Sequence, residues 1–198
     1  ATVTTIKSGA GADNLKISTA TSATVSASVD SGAGNDKVEV ATTGAGTTTV
    51  NTGAGNDTVT LSSGINTKTV IDGGAGTDTI SLAGRPLSAE DYVIANATLK
   101  NFEAATFTGA TAASVDASKL SQFATFNFAG NAADKVTEAS GVALTTKGNL
   151  EAASTGYKAD GADADSLTDA YGGALSITQT GNGTVDAFGA SVTLAVTA

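Results

Sequence analysis

Four aspartates at a regular spacing are the residues of this 198-residue chain that are best suited to chemistry. Each occupies the sixth position of a Gly-rich loop, and the four are Asp13, Asp36, Asp57 and Asp78. A simple turn does not need a carboxylate at the same position four times, whereas hard cations such as Ca²⁺ bind oxygen ligands of this kind. The chain has no Cys, His, Met or Trp, which excludes thiolate and imidazole metal sites as well as Ser/His and Cys/His catalysis.

The charge balance limits the classes of partner. The chain carries 10 Lys and Arg against 19 Asp and Glu, which gives a formal net charge of −9. Such an acidic chain repels phosphate backbones and acidic lipid headgroups, so we expect no nucleic-acid partner. No apolar run approaches the roughly 18 residues of a membrane span, and we expect no membrane insertion. Because no nucleophile is paired with a base, we also expect no enzymatic activity.

A repeat indicates which elements position the four aspartates. The segments 6–15, 29–38, 50–59 and 71–80 superimpose without a gap, and a neutral version of the same nine-residue unit lies between them. Aliphatic residues at alternate positions flank each loop, which predicts strands of only a few residues. Each period therefore predicts loop, strand, loop, strand, with successive coils paired in parallel about 4.8 Å apart. We expect an all-β protein whose residues 1–84 form a right-handed parallel β-roll, or β-solenoid.

Stacked carboxylates need a counter-ion. Two unit charges about 4.8 Å apart repel by roughly 0.9 kcal/mol in water and by about 3.5 kcal/mol at an effective dielectric of 20. The apolar content is also small, since residues 1–84 contain 16 Val, Leu and Ile. We therefore expect metal binding to supply part of the folding free energy, and the roll to be disordered without the metal.

The loops resemble the calcium-binding nonapeptide G-G-x-G-x-D-x-U-x of the RTX proteins, in which U is a large aliphatic residue. Residues 73–80 match it in full, and the other copies replace the first Gly by Ser8, Ser31 or Thr52. The resemblance implies a parallel β-roll that holds calcium between its coils. The ligands it implies are the carboxylates of Asp13, Asp36, Asp57 and Asp78 and carbonyls of loops that include Gly32, Gly34, Gly53, Gly55, Gly74 and Gly76. Because the intervening loops are neutral, we expect one row of ions and not two.

Further aspartates have two open interpretations. Asp30 and Asp72 precede acidic loops, and each either caps the turn through side chain-to-backbone bonds or lends an oxygen to the ion. Degenerate copies of the nonapeptide contain acids that are either cation ligands or solvated turn residues, namely Asp134, Asp160, Asp163 and Asp165.

Residues 85–198 are expected to form a second, β-rich domain of degenerate repeats. Arg85 and Pro86 interrupt the repeat, and an acidic start predicts a short helix over residues 88–94. Five of the six Phe residues lie between positions 102 and 128. An aromatic run could be a stacking platform for sugars or bases, but we expect these residues to build a core.

The composition of this second segment, rich in Ala, Thr, Ser and Gly, resembles bacterial surface-layer proteins of the RTX-secreted type. The resemblance implies export without a cleaved N-terminal signal, a place on the surface of a Gram-negative-type cell and calcium-dependent lattice formation. We expect a non-catalytic, calcium-binding structural protein that self-assembles outside the cell, with copies of itself and cell-surface polysaccharide as partners. The alternatives are a module of an RTX adhesin that binds a glycan or host surface, and the accessory roll of a secreted enzyme.

Overall fold

A computed structural model gives the fold of the chain. It describes residues 3–19, 24–108, 113–128, 134–138, 143–146, 150–151, 167–169, 174–180 and 191–197. The chain divides into two compact units, one of residues 1–82 and 90–104 and one of residues 83–89 and 105–198. The first junction lies close to the expected boundary after residue 84, whereas residues 90–104 belong with the first unit.

The first unit begins with short strands that alternate with the acidic and the neutral loops. Val, Ile and Thr are frequent in them, and these β-branched residues favour extended backbone. The strands are β1 (Val3–Lys7), β2 (Asn14–Thr19), β3 (Ser26–Asp30), β4 (Lys37–Thr42), β5 (Thr48–Asn51), β6 (Thr58–Leu61), β7 (Thr69–Asp72), β8 (Thr79–Ala83) and, later in the chain, β9 (Leu99–Lys100).

Two parallel sheets share these strands. One has the order β1-β3-β5-β7-β9, and β2, β4, β6 and β8 follow one another in the second. Partners lie one repeat apart, as Val38 pairs with Val59 and Val59 with Ile80. Consecutive strands therefore alternate between the sheets, which defines a β-solenoid. The parallel, all-β fold expected from the repeat is confirmed.

The interior of the solenoid is built from the alternating aliphatic positions. Val50, Ile71 and Ile80 are fully buried, at 0% exposure. Their neighbours point outward, as the alternating burial along β5 and β7 shows. Each strand thus buries only one or two large apolar side chains, so the loops must supply much of the cohesion between coils.

The described residues contain one α-helix, α1 (Ala89–Thr98), which is longer than the expected 88–94. Glu90 and Asp91 lie in its first turn, where negative charge complements the helix dipole. At the other end, Nζ of Lys100 donates to the carbonyl O of Asn96 in the last turn at 2.8 Å. The helix thus extends four residues past the expected end, and a lysine just beyond it binds its last turn.

The second unit is rich in β-structure, as expected. It contains the 3₁₀ turn Ala117–Lys119 and most or all of the strands β10 (Ala104–Thr108), β11 (Ser114–Asp116), β12 (Thr125–Phe128), β13 (Asp134–Glu138), β14 (Ala143–Thr146), β15 (Leu150–Glu151), β16 (Leu167–Asp169), β17 (Ala174–Thr180) and β18 (Ser191–Thr197). β12, β14, β17 and β18 pair in parallel in that order. Phe107, Phe123 and Phe126 are buried, and the last two rings meet edge to face with centroids 5.9 Å apart. These three aromatic side chains therefore build a core.

Candidate metal centre

The glycines of each acidic loop allow the chain to turn and the loops to stack closely. Gly53 and Gly55 have φ of 95° and 145°, a region that L side chains rarely adopt. A Cβ on Gly53 would lie 1.9 Å from the carbonyl O of Gly32, and one on Gly55 would lie 1.9 Å from that of Gly34. The loops therefore stack backbone on backbone, and the same positive φ recurs at Gly32, Gly34, Gly74 and Gly76.

The four sixth-position aspartates, here called the aspartate row, contact one another's backbone. The amide N–H of Asp13 donates to Oδ1 of Asp36 at 2.8 Å. In the same way the N–H of Asp36 donates to Asp57 and that of Asp57 to Asp78, both at 2.7 Å. Oδ1 of Asp36, Asp57 and Asp78 therefore binds the coil that precedes its own. The structure brings Asp13, Asp36, Asp57 and Asp78 together, at the loop position where the sequence predicts them.

The other oxygen of each carboxylate is buried and unsatisfied. Oδ2 of Asp13, Asp36, Asp57 and Asp78 has no hydrogen-bond partner in the described part of the chain. Asp36 and Asp57 are each 1% exposed, and Asp78 is 0% exposed. A buried carboxylate oxygen without a partner is costly, so the row needs protons or a cation to be stable.

Two further rows of side chains hold the acidic loops in register. Ser8 Oγ donates to the carbonyl O of Ser31 at 2.8 Å, Ser31 Oγ to that of Thr52 at 3.0 Å, and Thr52 Oγ1 to that of Gly73 at 2.7 Å. The Ser or Thr that replaces the first Gly of the nonapeptide therefore links its own coil to the next.

An asparagine row runs beside the aspartate row in the opposite sense. Oδ1 of Asn35 accepts the N–H of Asn56 at 2.8 Å, and Oδ1 of Asn56 accepts the N–H of Thr77 at 2.9 Å. Each Asn therefore binds the following coil, whereas each Asp binds the preceding one. Together the two rows fix the spacing of adjacent loops from both sides.

Electrostatics at the end of the row favours a neutralised carboxylate. Burial raises the pKa of Asp78, and the negative charges of Asp57, Glu103 and Asp72 raise it further. The hydrogen bond from the N–H of Asp57 acts in the other direction and lowers this pKa. The net upward direction means that the protein around Asp78 disfavours its negative charge, and a bound cation would reverse this effect.

The carboxylates of the aspartate row are too few to bind calcium by themselves, so backbone carbonyls must also be ligands. In the described residues, no three His, Cys, Asp or Glu side chains are grouped closely enough to hold a metal by themselves. The carbonyls of Gly32 and Gly53 accept the N–H groups of Ala54 and Ala75 at 2.9 and 2.7 Å, and each keeps a second lone pair. Carboxylate and carbonyl oxygens together are suitable calcium ligands, so the residues present fit this ion.

The remaining candidate aspartates lie elsewhere. Asp30 forms an ion pair with Lys7 at 3.4 Å, and Asp72 accepts the N–H of Gly74 at 3.0 Å, which is the turn-capping bond. Neither contacts the aspartate row through these bonds. Asp134 is the first residue of β13. Asp160, Asp163 and Asp165 lie outside the described residues.

Glu103 is a residue that the sequence did not indicate. Its Oε2 accepts the N–H of Asp78 at 2.6 Å, which is the bond that each sixth-position Asp makes to the coil before it. Asp78 therefore has a carboxylate on both sides, whereas the repeat alone gives it one acidic neighbour. The pairing that places it there, of Leu99 with Ile71 and of Lys100 with Asp72, is visible only in the structure.

Comparison with known proteins yields no relative: no protein-family model, curated protein or solved structure matches the chain. The resemblance of the loops to the RTX nonapeptide therefore stays a prediction that rests on the residues themselves. What is established is the class of fold, a parallel β-solenoid with a row of stacked buried carboxylates. Across the ranges that the structure describes, no helix has the length and apolar character that a membrane span requires.

Proposed function

We propose that this chain is a non-catalytic, calcium-binding structural protein of the RTX type that self-assembles outside the cell as part of a surface layer or matrix. The observation that carries the proposal is the aspartate row, with four buried Oδ2 atoms that lack a partner among the described residues. A purely structural turn would not bury carboxylate oxygens in this state. A row of divalent cations satisfies all four at once.

Calcium would lie between adjacent coils. The carboxylates of Asp13 and Asp36, of Asp36 and Asp57, and of Asp57 and Asp78 would hold it together with loop carbonyls. When bound, the ion supplies positive charge and oxygen coordination. The protein's own contribution is the stacking of the loops, because the glycine contacts and the Asn and Ser/Thr bonds place consecutive carboxylates next to each other.

The proposed extracellular place follows from the coupling of folding to calcium. The solenoid buries few large aliphatic side chains, so without a cation the repulsion within the aspartate row weighs heavily against folding. A chain of this kind stays unfolded where calcium is scarce and folds where the ion is plentiful, as it is outside the cell.

Self-assembly is supported by the edges of the first unit. Among the described strands, β1 and β2 each lie at the edge of a sheet, with β3 and β4 as their respective partners. Edge strands present unpaired N–H and C=O groups that can pair with another chain. The adhesin alternative gains no support from the described Phe side chains, because Phe102, Phe107, Phe123 and Phe126 are all buried.

Circular dichroism and light scattering of the full chain, with calcium, with magnesium and with a chelator, test the proposal. We expect β-signal and a small radius only with calcium, followed by association as the protein concentration rises. Spectra and radius that are the same in calcium and in chelator would remove the metal role. A chain that folds with calcium but stays monomeric would favour the adhesin alternative, which a glycan array then examines.

A further inference from the structure

The coil after Asp78 has a different loop from those before it. β9 continues the sheet because Leu99 pairs with Ile71 and Lys100 with Asp72. The N–H of Gly73 donates to the carbonyl O of Lys100 at 2.9 Å, as the N–H of Thr52 does to that of Asp72. The segment that starts at residue 101 therefore occupies the place of a further acidic loop, although it contains no copy of the nonapeptide.

The loop that starts at residue 101 is shorter than the acidic loops, and the side chain that carries its carboxylate is longer than that of Asp. Glu103 lies three residues after Lys100, whereas Asp78 lies six residues after Asp72. The longer side chain of Glu103 spans the difference, since its Oε2 reaches the N–H of Asp78 at 2.6 Å. The N–H groups of Glu103 and Ala104 also return to the carbonyl O of Asp78 at 3.2 and 3.1 Å. Glu103 is thus fixed against the last Asp by backbone bonds.

Oxygens converge beside Asp78. Its Oδ2 is buried and has no partner among the described residues. A Cβ on Gly73 would lie 3.0 Å from this Oδ2 and 2.2 Å from the carbonyl O of Asn101, so the missing side chain leaves the two oxygens facing the same space. Asn101 is held there with φ of 53°, and its Nδ2 donates to Oδ1 of Asp72 at 2.7 Å.

We propose that Glu103 ends the aspartate row as a calcium ligand, and that Asp78, Glu103 and the carbonyl O of Asn101 form a further calcium site. The inference rests on the proposed calcium function of the row. The carboxylate of Glu103 accepts one N–H and keeps oxygen capacity for a cation. The last Asp then has an ion on each side, as Asp36 and Asp57 do, and the fourth pair of carboxylates raises the number of ions in the row from three to four.

The variant Glu103→Gln separates this role from simple capping. The amide oxygen of Gln still accepts the N–H of Asp78, so the hydrogen bond is kept while the charge is removed. Calcium bound per chain is measured by equilibrium dialysis with metal analysis, and the β-signal is followed by circular dichroism with calcium and with chelator. Glu39→Gln is the matched control, because Glu39 forms an exposed ion pair with Lys16 at 2.8 Å on another face.

Glu103→Gln should bind one ion fewer than the wild type and should show at least as much β-signal in chelator as the wild type does. Glu39→Gln should bind the full number. An unchanged ion count in Glu103→Gln at saturating calcium would overturn the Glu103 site but not the proposed calcium binding by the aspartate row. A wild-type chain that binds no calcium would overturn both the Glu103 site and the proposed function.

A second pair of variants decides the question if Glu103→Gln does not fold. Asp78→Asn and Asp13→Asn both keep an amide oxygen in place of the carboxylate. With the Glu103 site, Asp78→Asn removes a ligand shared by two ions and Asp13→Asn a ligand of one, so we expect the loss of two ions against one. Equal losses would overturn the inference.

Discussion

Replacement of Asp57 by Asn should have opposite effects with and without calcium. Asp57 lies between Asp36 and Asp78, and its Oδ1 accepts the N–H of Asp36 at 2.7 Å. The amide oxygen of Asn can accept the same bond, so Asp57→Asn removes the charge and little else. Without calcium the change relieves repulsion. With calcium it removes a ligand from two adjacent sites.

The size of the effect follows from the stacking of the coils. At a spacing of about 4.8 Å and an effective dielectric of 20, each like-charge neighbour costs about 3.5 kcal/mol. Asp57 has two such neighbours, so repulsion has an upper limit of about 7 kcal/mol when all three carboxylates are ionised. A domain is stable by only about 5–15 kcal/mol, so relief of even part of this repulsion strongly shifts the folding equilibrium of the metal-free solenoid.

The β-signal in chelator, and thermal and urea unfolding in calcium, both followed by circular dichroism, measure the two effects. In chelator Asp57→Asn should show more β-signal than the wild type, and in calcium it should be less stable. Asp57→Ala also leaves the buried N–H of Asp36 without an acceptor, so it should be less stable than Asp57→Asn by about 1–3 kcal/mol. Asp30→Asn, which breaks an exposed ion pair with Lys7, is the control and should change stability by less than about 1 kcal/mol.

The reasoning fails if Asp57→Asn shows no more β-signal in chelator than the wild type does. In that case repulsion within the aspartate row would not oppose folding. It also fails if Asp57→Asn gains from calcium as much as the wild type does, because the carboxylate would then not be a ligand.

Three other changes test the stacking itself. Gly53→Ala should prevent the solenoid from folding, because its Cβ would lie 1.9 Å from the Gly32 carbonyl O. The control Gly64→Ala, with φ of 77° and no atom within 4 Å, should lower the free energy of unfolding by only about 1–2 kcal/mol. Similar urea midpoints for the two variants would contradict the close stacking. Thr52→Val removes the hydroxyl that donates to the Gly73 carbonyl at 2.7 Å, so it should lower the free energy of unfolding in calcium by about 1–2 kcal/mol. The control Thr60→Val, at an exposed position, should change this free energy little. Removal of residues 1–6 should weaken the calcium-dependent rise in light scattering, since β1 is an edge strand; equal scattering from a folded truncated chain would place the contact elsewhere.

The repeat made most of the first unit predictable. A spacing of 21 residues between Asp36, Asp57 and Asp78 implies in-register parallel pairing one repeat apart, and Val38, Val59 and Ile80 pair in that way. Alternating aliphatic positions gave the buried face of each strand. These features depend only on periodicity, which the sequence displays directly.

What could not be predicted depends on contacts between coils that differ in sequence. Glu103 takes the place of an Asp because its loop is three residues shorter, and no copy of the nonapeptide marks that loop. The use of each Oδ1 for an N–H of the preceding coil depends on a side-chain rotamer, which periodicity does not determine. The end of α1 was placed too early for a different reason: Lys100 binds the carbonyl of Asn96 four residues before it, a local contact that the acidic start of the helix does not indicate.

The glycines stacked at one position of each acidic loop affect how such a chain can change in length. At Gly53 and at Gly74 the Cα faces the carbonyl of the preceding coil's glycine, so adjacent junctions present the same atoms. A duplicated or deleted 21-residue segment therefore restores the same contacts on both sides, whereas an insertion within an acidic loop moves a residue with a Cβ into a glycine position and against a carbonyl. Variation by recombination is then expected in whole coils, and copy number changes the length of the solenoid and its number of cation sites together.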